Sequence, residues 1–244
     1  MKFLKNHPFA VETYFEHSIV LAYAIAKEEL QDFIPECLEL DVFENKWAFV
    51  ALAMVQTKAL RPKGFPKFLG NDFFLIGYRV FVRYTDIRGK RLRGLYILKS
   101  ETNKRKMSFF GNIFTHYNYT TTDISYLKGD ENLNIRSKKS DLDVLIHPDK
   151  IDVQLPETSP FSDWKAARRF AGPLPFTFTY NADTKEVLII EGVRQNWKPQ
   201  PLHVVKADVG FVKDKGFKDI HLANAFVVRN IPYYWKKGKI EQWK

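Results

Sequence analysis

A mainly β fold, an antiparallel barrel or sandwich carrying a few short helices, is what this sequence predicts, and three observations lead there. Aromatic residues make up 15% of the chain, with 21 Phe and 11 Tyr, and such side chains favour pleated, half-buried surfaces over helices. Apolar segments are short, alternate with polar residues and end at turn-forming residues, which gives about ten strand candidates at close spacing. Helical patterns, by contrast, are brief. The 244 residues exceed what one small core needs, yet no repeat, low-complexity tract or linker divides them, so residues 1–244 read as a single domain. Hydrophobic residues at 45% and charged residues at 27% exclude global disorder, collagen and coiled coil.

Residues 18–25 put Val20, Ala22 and Ala24 on one strand face. Residues 27–33 hold the helix formers Glu28, Glu29, Leu30 and Gln31, and Pro35 stops any helix soon after. Residues 38–43 alternate as a strand, and Glu44-Asn45-Lys46 suits a hairpin turn. Residues 47–55 are almost continuously apolar, which predicts a central strand covered on both faces. The Pro- and Gly-rich stretch 61–71 reads as an ordered, irregular loop. Residues 73–84 and 91–100 then form a hairpin around Arg88-Gly89. A short helix over 104–110 ends at Gly111, a Tyr- and Thr-rich strand spans 117–125, and the polar run 128–139 is read as an exposed loop. Ser162 is the expected N-cap of a helix over 163–170 that ends at Gly172. Strands follow over 176–180, 186–191, 202–209 and 223–228.

The formal charge of +10 is concentrated in two segments. Between Arg79 and Lys106 stand ten bases against only Asp86 and Glu101, and the tail adds Arg229, Lys236, Lys237, Lys239 and Lys244 against Glu241. One explanation is a solvated hairpin tip and a frayed, charged tail. The other is an anion site. By the two-residue period of a strand, Arg79, Phe81 and Arg83 share one face while Tyr78, Val80, Val82 and Tyr84 share the other. The return strand places Arg91, Arg93 and Lys99 with Leu95 and Ile97 on a single face. Like charges opposed across a sheet destabilise it, so they either splay into water or hold an anion between them.

Several chemistries are excluded. The lone Cys37 forms no intramolecular disulfide and no thiolate cluster, which predicts a reducing, cytoplasmic setting. None of His7, His17, His116, His147, His203 and His221 forms a zincin or close strand pair, so no transition-metal site and no cofactor is expected. Neither a phosphate-cradling Gly-rich loop nor a nucleophile elbow is present. Nucleic acid is not an expected partner, because zinc-finger spacing, an RNA-recognition octamer and a basic helix are all missing. The apolar run over 19–26 is too short to span a bilayer, so no membrane partner is expected. Homo-oligomerisation stays open.

Among the histidines, His116 in Phe114-Thr115-His116-Tyr117-Asn118-Tyr119 follows the basic hairpin directly, where an imidazole would shuttle a proton near neutrality. A strand-edge histidine bonded to backbone is the plainer alternative. Trp197-Lys198-Pro199 either lines a pocket or packs as a turn.

The run Glu29-Leu30 followed by Ile34-Pro35-Glu36-Cys37-Leu38-Glu39-Leu40-Asp41 resembles a helix-to-strand signature, commonly Val-Pro-x-Pro-Leu-Glu-x-Asp, of the acetoacetate decarboxylase-like superfamily. The apolar strand over 49–54, Trp197-x-Pro199 and residues 230–234 resemble later parts of the same pattern, while Leu60-Arg61-Pro62 and Tyr78-Arg79 mark an uncharacterised branch. The resemblance implies an antiparallel, cone-like β-barrel around a pocket for a small anionic organic acid. In the decarboxylases a buried lysine within Pro-Lys-Lys forms a Schiff base with a β-keto acid, its amine kept neutral by a neighbouring cation and by desolvation. Here that stretch falls on Phe114-Thr115-His116-Tyr117, which has no lysine, and two acidic pocket positions fall on Val50 and Phe65. The resemblance therefore implies a cavity without imine chemistry. In it Arg79, with Arg93 or Lys99, holds the anion, Tyr117, Tyr119 and Trp197 line the wall, and His116 is the candidate acid or base. Two functions stay open: a binding protein for a small acid, or a non-imine lyase, hydratase or tautomerase acting through His116 and Arg79.

Overall fold

The structure, a computed structural model, describes residues 2–171 and 174–243. Its largest sheet is built from β1 (Val11–Ala26), β3 (Trp47–Pro62), β4 (Asn71–Thr85), β5 (Arg91–Thr102), β10 (Phe176–Asn181), β11 (Glu186–Arg194) and β14 (Ile220–Trp235). The ladder path runs β14-β1-β3-β4-β5-β10-β11, and β11 then pairs back onto β14 over Gly192–Arg194, so the curled sheet closes on itself. All these pairs are antiparallel except β5–β10, whose parallel register begins at Gly94 opposite Phe176. A Cβ on Gly94 would collide with the Phe176 carbonyl and the Phe178 ring, which is why glycine stands at that seam. Short strands extend the sheet: β2 (Glu39–Leu40) on β4, β6 (Tyr119–Thr121) on β5, β12 (Gln200–Pro201) on β14 and β15 (Lys239–Gln242) on β11.

A second, four-stranded sheet has the order β13 (His203–Val209), β9 (Leu142–His147), β8 (Leu133–Ser137), β7 (Ser125–Lys128). It covers the outer face of the curled sheet, where Leu21, Leu52, Ile76 and Tyr78 pack against Ile135, Val144 and Ile146. The inner face of the same strands carries Ala51, Ala53, Val55 and Phe81 and bounds a cavity. Burial on both sides explains why β3 reads as an unbroken apolar run. Among the described residues four α-helices punctuate the sheets: α1 (Lys27–Leu30), α2 (Arg105–Phe114), α3 (Trp164–Phe170) and α4 (Gly210–Lys213). Near α3, Phe49 stacks on Phe81 and Phe161. Among the described residues no helix is long and apolar enough to cross a membrane.

The mainly β fold class holds, and several local expectations do not. The polar run 128–139 is no loop: β8 buries Leu133, Ile135 and Ser137 by strict alternation inside charged flanks. The tail is not frayed either. In β15 the buried Glu241 accepts hydrogen bonds from the Tyr84 hydroxyl and the Ile87 amide, each at 3.1 Å. Gly111 does not end α2 but lies within it, and glycine stands there because a Cβ would strike the Tyr119 ring. The N-cap of α3 is Asp163, which accepts the Ala166 amide at 2.7 Å, and not Ser162; Gly172 lies outside the described residues. Of the strand expected over 38–43 only β2 forms, and the strand expected over 117–125 is limited to β6. The hairpin turn at Glu44-Asn45 forms with both residues at positive φ, 49° and 55°, the geometry that suits the twist of adjoining strands.

Candidate functional site

The inner faces of β1, β3, β4 and β5, together with α2, β11 and β14, enclose a cavity of about 450 Å³. Most of its wall is apolar. Ala51 and Ala53 on β3 leave room where larger side chains would fill the centre, and Val55, Phe81, Leu95 and Ile97 continue the surface. Leu69, Lys106 and Phe110 are the exposed residues of the lining, so the opening lies between the Lys67–Leu69 turn and α2.

Four cationic residues line this space, Arg61, Arg79, Lys106 and Arg194, and among the described lining residues there is no aspartate or glutamate. Arg61 is already occupied: it pairs with Glu12 at 2.7 Å and donates to the carbonyls of Ala59 and Phe65. Lys106 sits exposed at the mouth. Arg79 and Arg194 differ from both. The Arg79 Nε and an Arg194 Nη are buried and lack hydrogen-bond partners, and neither residue takes part in an ion pair among the described residues. Burial and the charge of Arg79 hold the Arg194 pKa below its usual value. The Arg194 guanidinium lies 4.4 Å from the Trp197 ring centre and 5.9 Å from that of Tyr233. Two half-buried cations beside a mostly apolar space without an acid among its described lining residues are costly unless an anion joins them.

Neutral donors stand beside these cations. Burial raises the phenol pKa values of Tyr117, Tyr119 and Tyr233, that of Tyr119 to about 12, so all three keep their protons near neutrality. The Tyr117 hydroxyl lacks a partner of ordinary hydrogen-bond geometry although Thr177 is its neighbour on the wall. His7 also reaches the cavity; it is 5% exposed, its Nδ1 is unpartnered, and burial lowers its pKa to about 4. At neutral pH it is therefore an uncharged imidazole.

Residues 13–241 match the sequence pattern of the DUF2071 family, described as "Uncharacterized conserved protein (COG2071)". The chain belongs to that family. Its fold is that of the acetoacetate decarboxylase-like proteins. Acetoacetate decarboxylase from Legionella pneumophila superposes with a TM-score of 0.60 at 13% identity, covering 96% of this chain and 88% of that one. The enduracididine biosynthesis enzyme MppR superposes at 0.59 with 8% identity over 96% and 88% of the two chains. An acetoacetate decarboxylase-like enzyme from Sphingomonas wittichii RW1 gives 0.50 with 9% identity over 95% and 90%. No curated protein matches the chain in sequence.

Within this DUF2071 chain, Arg79, Tyr117, Tyr119 and Trp197 line one cavity. Three other candidates lie elsewhere. His116 falls between Thr115 and Tyr117, both of which face the cavity, so its ring points away and its Nε2 bonds the Asn6 Oδ1 at 3.0 Å. Arg93 stands directly opposite Arg83 in the β4–β5 register, and the anion between them is the chain's own Asp41. That carboxylate is fully buried and meets Arg83 through Oδ1 and Arg93 through Oδ2, each at 2.5–2.6 Å. Lys99 is turned to the outer face by an irregularity in β5. Tyr78 pairs with Lys99 but Arg79 pairs with Ile97, and a one-residue slip flips every side chain beyond it. Its amine pairs with Glu101 at 2.9 Å, 5.9 Å from the Tyr78 ring centre.

Sequence reasoning missed Arg194 and His7. Arg194 ends β11 and carries no local motif, although its position three residues before Trp197 puts both on one wall. His7 sits at positive φ, 51°, in a segment without strand or helix periodicity. Asp41 was legible, being the last residue of the quoted signature, but only the β2–β4 pairing reveals that two arginines converge on it.

Proposed function

We propose that this chain binds an anionic organic acid in its cavity, holding the acid's carboxylate between Arg79 and Arg194 and forming no covalent imine. One observation carries the reading: two half-buried arginines, each with a buried nitrogen that has no hydrogen-bond partner, line a space to which no acidic side chain among the described residues contributes. Guanidinium supplies paired donors in a plane, which suits a carboxylate. Tyr117 adds a neutral hydroxyl that stays protonated and so donates. The lysine in the lining, Lys106, is exposed on α2, without the desolvation that makes an amine nucleophilic in imine catalysis. Cys37 is buried and its thiol is pushed up to about 12, which fits an inert side chain in a reducing, cytoplasmic setting.

A second reading, acid–base catalysis on the bound acid, is favoured by His7 and not by His116. An uncharged imidazole with a free Nδ1 on the cavity wall is positioned to accept a proton, although its lowered pKa makes it a weak base.

The test is calorimetric titration of carboxylic acids and of their primary amides at pH 7. Acids should bind and the matched amides should bind more weakly. Arg79→Met and Arg194→Met should each cost about 10- to 100-fold in affinity for the acid, the worth of a hydrogen bond to a charged group, with unfolding temperatures near that of the parent. Equal affinity of acid and amide would refute the anion site.

A further inference from the structure

We infer that the ligand is an amphiphilic, straight-chain carboxylic acid whose tail occupies the apolar part of the cavity and points to its opening. This rests on the reading that Arg79 and Arg194 hold a carboxylate. The cavity volume of about 450 Å³ is room for roughly fifteen non-hydrogen atoms at the ~30 Å³ each water-sized unit occupies. A four-carbon keto acid fills about half of that. The remainder would be a void lined by Val20, Ala51, Ala53, Val55, Leu95 and Ile97, which offers water almost no hydrogen bonds, and such spaces favour an apolar guest.

The opening fits a tail better than a head. Leu69 is 52% and Phe110 41% exposed where they line it. Phe65, Phe68 and Phe109, on the same two segments, are 52%, 83% and 64% exposed and extend the apolar surface outward. The buried Arg79 Nε, by contrast, has no solvent contact. Head inward and tail outward is the orientation that satisfies both ends. Lys106 at the mouth lays its aliphatic stem along such a tail while its amine stays in water.

The test is a titration of the full chain with straight-chain carboxylates of four to sixteen carbons, below their micelle concentrations, followed by the fluorescence of the cavity tryptophans Trp197 and Trp235. Affinity should rise roughly fourfold per added methylene, level off near twelve carbons, and fall when the head is an alcohol of equal length. Ala53→Leu, which fills part of the cavity, should move the plateau about two to three carbons shorter. Affinity independent of chain length, with acids still preferred over alcohols, would overturn the tail assignment alone. Alcohols binding as tightly as acids would overturn the carboxylate site and this inference with it. A plateau unmoved in a folded Ala53→Leu variant would remove the tail from this cavity.

Discussion

Arg79 and Arg83 lie four residues apart on one face of β4 and meet opposite fates. Arg83 is neutralised by Asp41, while Arg79 finds no carboxylate among the described residues. From the sequence the two are indistinguishable, because strand parity assigns a face but not what stands across from it. His7 and His17 pose a related case. Burial lowers each to about 4, so the folded state resists protonation that the unfolded chain accepts near 6.5. The unfolded state then binds more protons between those values, and unfolding free energy rises with pH. Stability should be full above about pH 6.5 and decline as pH falls towards 4, by about 3 kcal/mol for each histidine. Urea unfolding of the parent and of His7→Gln across pH 4–7 checks this. The variant should lose the share of the slope that belongs to His7, and an unchanged slope would remove His7 from the account.

At the scale of elements, β3 was legible because two covered faces leave an unbroken apolar run, and α1 because its helix formers stop at a proline. The helix ends and the short strands were less so. β8 looked like a loop since the half-buried Asn134 and the exposed Arg136 alternate with its buried positions, and three buried positions are too few to outweigh the charged flanks. The irregularity in β5 left no trace in composition, yet it decides that Lys99 faces outward. The β2–β4–β5 clamp shows what the basic hairpin is for: Asp41 ties Arg83 and Arg93 together, and Arg93 also donates to the Phe170 carbonyl at 2.8 Å, fastening α3 to the sheet. Asp41→Asn should cost about 2–3 kcal/mol in chemical denaturation, somewhat below a fully enclosed pair because the two arginines are partly exposed. Replacing all three residues by apolar ones of similar volume should recover much of that loss. A fully stable Asp41→Asn protein would mean that the triad is incidental.

For the whole molecule, closure of the curled sheet onto β14 converts β-strand alternation into an inside and an outside. One set of side chains packs against the four-stranded sheet, and the other bounds the cavity. The sequence resemblance carried this much of the architecture, and with it Arg79, Tyr117, Tyr119 and Trp197. Arg194 was beyond its reach because β11 meets β14 only when the sheet closes, a contact between residues about 40 positions apart. The most direct test of a cationic chamber for a non-covalently held acid is mass spectrometry of the purified protein, first native and then denatured, after incubation in separate samples with dodecanoate and with keto acids to which borohydride is then added. The account predicts a dodecanoate complex that survives native conditions, disappears on denaturation and is lost in the Arg79→Met/Arg194→Met variant, with no keto-acid adduct on any lysine. A reduced adduct on a lysine, or dodecanoate retained equally by the double variant, would contradict it.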